Sequence, residues 1–400
     1  MQISDITSPA FYADPYPFYQ ELLTAPILFN LMPHVWITGR YSIIDPALRD
    51  RRMGRSYMQS IRTEYGDIRA REPVFNAFER MLLMMDPPNH TRLRGLLAKA
   101  FNAKHEDGFR QLAQTIADER IDSFIHSMSA DIMQDYALPI PIAVICTLLD
   151  LPYDDVSILS DAVDAIVQSF EAATMRDEQI DAANLAMLTL EKYFTPILLE
   201  RRKKPGDDLI SRMILVEGKE GRLTNEEVVA NIILLFIAGH ETTTNMIGNA
   251  LIALHRHPQQ LAKIIANPSL LSNAVAECLR YDSSVQLAIR TALEDIEIGG
   301  FVIPRGDSVC MFLGSANRDP EKFDDPNQLL IERGSVDNRF LSFGGGAHHC
   351  LGARLAIIEL EVALGTLFRR LPEMRITNLD GLQWHQRNAL RGVKSLHATW

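Results

Sequence analysis

Phe343-Gly344-Gly345-Gly346-Ala347-His348-His349-Cys350-Leu351-Gly352 puts one cysteine at the end of a glycine-rich loop and at the start of an amphipathic run, Leu351 to Leu367. A helix beginning just after Cys350 aims its first unpaired N–H groups and the positive end of its dipole at the sulfur. The preceding glycines let further backbone N–H groups approach closely. Both effects favour thiolate over thiol. A hydrogen-bonded thiolate beside a flat apolar residue such as Phe343 suits a haem iron that needs an electron-donating axial ligand.

Simpler readings compete. A phosphate cradle needs a Lys-Ser/Thr pair after the glycines, and none is present. A zinc site built on His348, His349 and Cys350 needs a second cluster at ligand spacing, which the chain lacks. A lone cysteine is commonly an inert buried residue. The rest of the chain has to decide among them.

Four hundred residues contain no Pro/Gly/Ser linker, repeat or low-complexity tract, which predicts a single large domain over 1–400. A hydrophobic content of 47% against 23% charged residues is that of a globular protein able to enclose a cofactor. The net charge of −11 argues against nucleic acid as a partner. Cys146, Cys278, Cys310 and Cys350 are too scattered for a disulfide framework and suggest reduced thiols in a cytoplasmic protein. The N-terminus lacks a signal-peptide pattern, and the strongest apolar run, Ile232 to Ala238, is too short to span a membrane.

Periodicity is mostly helical: Pro88 to Phe101, Phe109 to Ser127, Leu185 to Arg202, Asn225 to His255, Leu270 to Tyr281 and Leu351 to Arg370. Strand patterns are few: Val35 to Thr38, a hairpin over Thr291 to Val302 with Gly299-Gly300, and Val309 to Leu313. The fold class is therefore mainly α with small β-sheets. Asn225 opens the longest helix, behind a Thr224/Glu227 capping box and ahead of a stop at Pro258.

In the middle of that helix stands Ala238-Gly239-His240-Glu241-Thr242-Thr243. Gly239 costs about 1 kcal/mol relative to alanine in a helix interior, so a close approach to the backbone would explain it. Thr242 can bond back to a carbonyl and distort the turn. A packing glycine beside a satisfied threonine explains the segment equally well. Glu277 and Arg280 lie one turn apart, as do His90 and Arg94; taken alone, both pairs read as solvated helix faces.

Taken together and in order, these segments resemble the cytochrome P450 superfamily, especially its soluble bacterial members. The likeness runs from Asp14-Pro15-Tyr16 to the helix after Cys350, and includes Ala316-Asn317-Arg318-Asp319-Pro320. It implies a haem-thiolate monooxygenase with a long central helix across haem b and Cys350 as the iron ligand. Phe343 and Gly352 belong to the cysteine loop it matches. His90, Arg94, Arg290 and His348 would hold the propionates, and Thr242 with Glu241 would deliver protons during dioxygen activation. Glu277 and Arg280 would brace the fold. Ser284 replaces a common proline, and Gln328 stands where an arginine often completes the Glu277–Arg280 network, which puts that network in doubt.

The resemblance places Ala238, Gly239, Gln286 and Leu287 near the substrate, with Met81, Met84 and Met85 at the end of an overlying loop. Residues 49–80 carry eight arginines against five acids. A cationic mouth there would favour a carboxylated or carrier-protein-bound substrate; a solvated loop of alternating charge is the plainer reading. No dinucleotide fingerprint follows a strand, so electrons are expected from a separate ferredoxin or flavodoxin, docked on a basic patch drawn from Arg92, Lys99, Lys104 and Arg354. The expected product is a hydroxylated or epoxidised hydrophobic metabolite of secondary metabolism, made by a monomer. A peroxide-driven oxidase and a catalytically silent binder are the rivals; Glu241-Thr242 argues against the first, and the intact Cys350 and Thr242 against the second.

Overall fold

The segment with the strongest helical signal forms one helix, Asn225–Arg256, of 32 residues. At 1.5 Å per residue it is about 48 Å long. Its start is the capping box read from the sequence: Glu227 N donates to Thr224 Oγ1 at 3.2 Å and Thr224 N to Glu227 Oε2 at 2.9 Å. The computed structural model describes residues 3–24, 29–101, 106–170, 175–218, 221–333 and 339–400. The chain is mainly α with small β-sheets. Among the described residues no helix is long and apolar enough to cross a membrane.

Two compact units form. The first comprises Met1–Met53, Glu106–Pro141 and Glu241–Trp400; the second comprises Gly54–His105 and Ile142–His240.

The first unit holds a sheet in the order Phe29–Met32, Val35–Thr38, Ser308–Phe312, Leu287–Ala292, Met53–Gly54. Ser308–Phe312 runs parallel to Val35–Thr38 and antiparallel to Leu287–Ala292, with Val309 opposite Arg290. Ile37, Val309 and Met311 are fully buried in it. The hairpin expected from Thr291 begins later, at Ile296. Thr291 belongs to the sheet, and only Ile296–Ile298 pairs with Phe301–Ile303, around Gly299 and Gly300 at φ 58° and 82°. Two successive left-handed residues are what a two-residue hairpin turn requires.

Helix Ala353–Arg370 packs along Glu106–Phe124 in the same unit. Arg110–Glu361 and Arg370–Asp118 lace the rim at 2.5 and 3.0 Å, and Tyr136 donates to the Ala363 carbonyl at 2.8 Å. In the second unit, fully buried Asn231 joins the long helix to the Arg80–Leu82 segment. Its Oδ1 accepts from Leu82 N at 2.9 Å, and its Nδ2 donates to Arg80 O at 2.9 Å.

Glu277 and Arg280, on helix Leu271–Tyr281, are not solvated: both side chains are 0% exposed. All the N–H groups of Arg280 find acceptors. Nε and Nη2 reach Glu277 at 2.8 Å each; Nη1 reaches the carbonyls of Asn317 and Pro326, and Nη2 also that of Gln328. The third member of the network is Arg333, 3.2 Å from Glu277 Oε2, while Gln328 contributes only its carbonyl. Removing one partner leaves a buried charge uncompensated. Glu277→Gln should therefore lose about 3–5 kcal/mol in denaturant unfolding, and Arg280→Lys, with fewer donors in the wrong geometry, should not rescue it. A loss below about 1 kcal/mol would show that the network is dispensable.

Candidate functional site

The cysteine loop is built by backbone approach. Gly344 and Gly346 take φ of 68° and 64°, and an added Cβ on Gly346 would lie 2.1 Å from the Leu48 carbonyl oxygen. Only glycine fits there. Cys350 N donates to Phe343 O at 3.0 Å and closes the loop. The helix starts at Ala353 with Gly352 as its cap, so Cys350 sits two residues ahead of the cap. Phe343 is half-buried and packs near His349, ring centroids 6.4 Å apart.

Accessibility separates the cysteines. Cys350 is exposed, whereas burial pushes the thiols of Cys146 and Cys310 up to about 11 and about 12 and also raises Cys278. Those three are held as thiols at neutral pH.

Arg290 is 3% exposed on its sheet strand and donates to Ile289 O at 2.9 Å; His348 is half-buried on the cysteine loop. Both belong to the first unit. His90 and Arg94 lie in the second, one turn apart on helix Asn89–Ala100; His90 is 2% exposed and Arg94 half-buried, so neither is a plain solvated residue. Leu287 is buried in an apolar cluster with Tyr19 and Phe312. Gln286 is engaged internally: its Oε1 accepts from Tyr19 at 2.8 Å and its Nε2 donates to Ser283 O at 2.6 Å. Met81 is core, while Met84 and Met85 are half-buried.

The middle of the long helix is buried at Phe236, Ile237, His240 and Thr243, yet Ala238 is exposed and Gly239, Glu241 and Thr242 are partly so. Residues 238, 239 and 242 share one helix face. On its packed side, a Cβ at Gly239 would meet Ile145 at an ordinary 3.4 Å, so packing alone does not demand glycine. The open strip of small residues does fit a flat ligand. Glu241 accepts from Arg387 at 2.5 Å and from Asn245 at 3.2 Å.

Sequence reasoning missed Glu359, on the helix after Cys350. It is 2% exposed, and burial pushes its carboxyl up to about 8 against an opposing hydrogen bond from Thr243. The signal was a carboxylate within the buried run Ile358 to Val362, on the apolar side of an amphipathic helix.

The basic groups expected at a docking face are mostly engaged: Arg92 pairs with Glu227, and Lys99 donates to Glu217 O. Arg354 is exposed, and Lys104 lies outside the described residues. The 49–80 surplus is likewise damped, as Arg49, Arg52 and Arg69 pair with Asp45, Asp50 and Asp177 at 2.9, 2.7 and 3.1 Å.

Taken one by one, these groups suit a haem by their chemistry: an accessible thiol suits iron, basic side chains suit propionates, and a strip of small residues on a helix face suits a flat macrocycle.

Two predictions follow from the loop and the buried acid. Gly346→Ala should cost about 2 kcal/mol or more, from left-handed strain plus backbone collision, whereas Gly352→Ala, with nothing within 4 Å of its Cβ, should unfold as wild type. Equal thermal midpoints for the two variants would contradict the loop geometry. A raised carboxyl binds its proton more tightly when folded, so the contribution of Glu359 is fully present below about pH 4.5 and is lost as pH rises through about 8. Glu359→Gln should flatten the fall in unfolding free energy across that window; an unchanged slope would show that Glu359 is ionised in the fold.

Comparison with known proteins gives one consistent answer. The family model described as Cytochrome P450 matches residues 64–269 and 263–372. A Xylella fastidiosa protein named as cytochrome P450 133B1 is 47% identical over 99% of this chain and 98% of its own. The myxobacterial cytochrome P450 CYP267B1, solved with myristic acid, superposes with a TM-score of 0.90 at 34% identity, covering 99% of each chain. P450BioI, solved with a hexadec-9Z-enoic acid ligated acyl carrier protein, gives 0.89 at 30% identity, covering 98% of this chain and 100% of that one.

Proposed function

Because the chain belongs to the cytochrome P450 family and is a P450 monooxygenase, we propose that it inserts one oxygen atom of dioxygen into a hydrophobic metabolite, by hydroxylation or epoxidation, as a tailoring step in secondary metabolism. The observation that carries the reading is the accessible Cys350 on a glycine loop that tolerates no side chain at Gly346.

The whole chain 1–400 acts as one catalytic domain. Haem b, when bound, supplies the redox chemistry of dioxygen cleavage and oxygen insertion. Cys350 ligates its iron, with Phe343 and Gly352 shaping the loop around the sulfur. His90, Arg94, Arg290 and His348 neutralise its carboxylates, which need charged donors in an apolar surround. Ala238 and Gly239 leave room beside the long helix, and Leu287 and Met85 offer apolar contact to substrate. Thr242 holds a water in line for proton delivery, and Glu241, oriented by Arg387, hands protons toward it. Electrons come from a separate ferredoxin or flavodoxin.

A long acyl chain with a carboxylate or carrier-bound end is the substrate class we favour. The neighbours solved with myristic acid and with a carrier-linked acyl chain support it.

Thr242→Ala should bind haem normally and consume electrons, but release peroxide instead of product. Product formed per electron should fall by about tenfold or more. An unchanged yield per electron would contradict the proton-delivery role.

A further inference from the structure

A cleft of about 330 Å³ opens within the first unit, between helix Pro258–Ala266 and the segment 322–333. That volume is enough for a small metabolite. Its apolar lining is Phe323, 2% exposed, and half-buried Leu330.

Three cations and two acids line the rest, and most of them are spoken for. Lys263 pairs with Glu332. Arg333, its side chain 7% exposed, reaches Glu277 Oε2 at 3.2 Å and donates to the carbonyls of Asp324 and Asp325 at 2.7 and 3.3 Å. Lys322 is different. Its half-buried ammonium lies 5.3 and 5.9 Å from the ring centroids of Tyr41 and Phe323. Among the described residues, no carboxylate and no hydrogen-bond acceptor reaches its Nζ atom. The rings hold the cation without using any of its three donors. Gln260 is fixed in the same cleft, its Oε1 accepting from Ile331 N at 3.3 Å. Its NH2 group is left for another acceptor, since none is found for it among the described residues. The acid that counts against an anion is Asp324, exposed at the cleft.

We propose that this cleft is a second ligand site, for a small aromatic carboxylate. Lys322 and the Gln260 amide receive the carboxylate by charge-assisted hydrogen bonds, and Phe323 with Leu330 receives the ring. The site uses none of the haem or substrate residues named above. Arg333 belongs both to the cleft and to the Glu277 network, so an occupant bears on the ion pair that braces the fold. A ligand that binds only the folded chain stabilises it.

The test is calorimetric titration of the haem-loaded protein with benzoate and with its neutral counterpart benzamide, at constant ionic strength. Thermal midpoints and circular dichroism accompany each variant. Wild type should bind benzoate saturably, with a dissociation constant of about 1 mM or lower, and benzamide about tenfold more weakly. Lys322→Gln should weaken benzoate about tenfold and leave benzamide unchanged. Asp324→Asn, which removes the opposing charge, should tighten benzoate about threefold. Benzoate should raise the thermal midpoint of wild type and of Asp324→Asn, but not that of Lys322→Gln. Absence of saturable benzoate binding to wild type overturns the proposal. So does equal benzoate affinity in wild type and Lys322→Gln, the result expected if benzoate enters another pocket. If Lys322→Gln fails to fold, Asp324→Asn decides: tighter binding supports the site, and unchanged or weaker binding overturns it.

Discussion

Arg280 is a charge with no access to water, and Glu277 makes its burial tolerable. The consequence reaches the cysteine. Arg280 donates to the Asn317 carbonyl at 2.9 Å, and the Asn317 side chain then accepts from Leu341 N at 2.7 Å and donates to Ser342 Oγ at 3.0 Å. Ser342 in turn donates to Leu279 O at 2.6 Å, back on the helix that carries the ion pair. Phe343, the first residue of the cysteine loop, follows directly. A closed circuit of buried polar groups, each satisfied, therefore fixes where the loop begins. The close pass of Gly346 over Leu48 fixes its middle, and the cap at Gly352 its end. An exposed sulfur on a rigid mount is what ligation requires.

The long helix makes the complementary provision. Its flanks are buried, but the strip around Ala238, Gly239 and Thr242 is left open, and the helix continues unbroken through it. The helix tolerates Gly239 because packing on either side supplies the stability that its propensity lacks. Glu241, next to Thr242 in the chain, is oriented by Arg387 and Asn245.

Much of this was legible in the chain, because it is written in local patterns. The 3.6-residue period and the Thr224/Glu227 box locate the long helix almost to the residue, and Val35 to Thr38 announces its strand. The glycine loop before Cys350 is legible for the same reason, since glycines at left-handed positions and a helix start are local demands. What was not legible depends on distant partners. Nothing near Glu277 indicates that Arg333 completes its network, because the loop that delivers Arg333 is shaped only in three dimensions. His90 and Arg94 read as surface until packing buries the first and half-buries the second. Glu359 carries an ordinary ionisable side chain; only the surrounding fold desolvates it. The Tyr19 hydroxyl that donates to Gln286 Oε1 is another distant partner that local pattern does not announce.

The account stands on sulfur ligation by Cys350. The most direct measurement is the carbon monoxide difference spectrum of the reduced, haem-loaded protein, wild type against Cys350→His. Wild type should show the strongly red-shifted Soret band of a thiolate opposite carbon monoxide, and the variant should bind haem but show the band of an imidazole ligand. Identical bands in the two proteins would contradict the account.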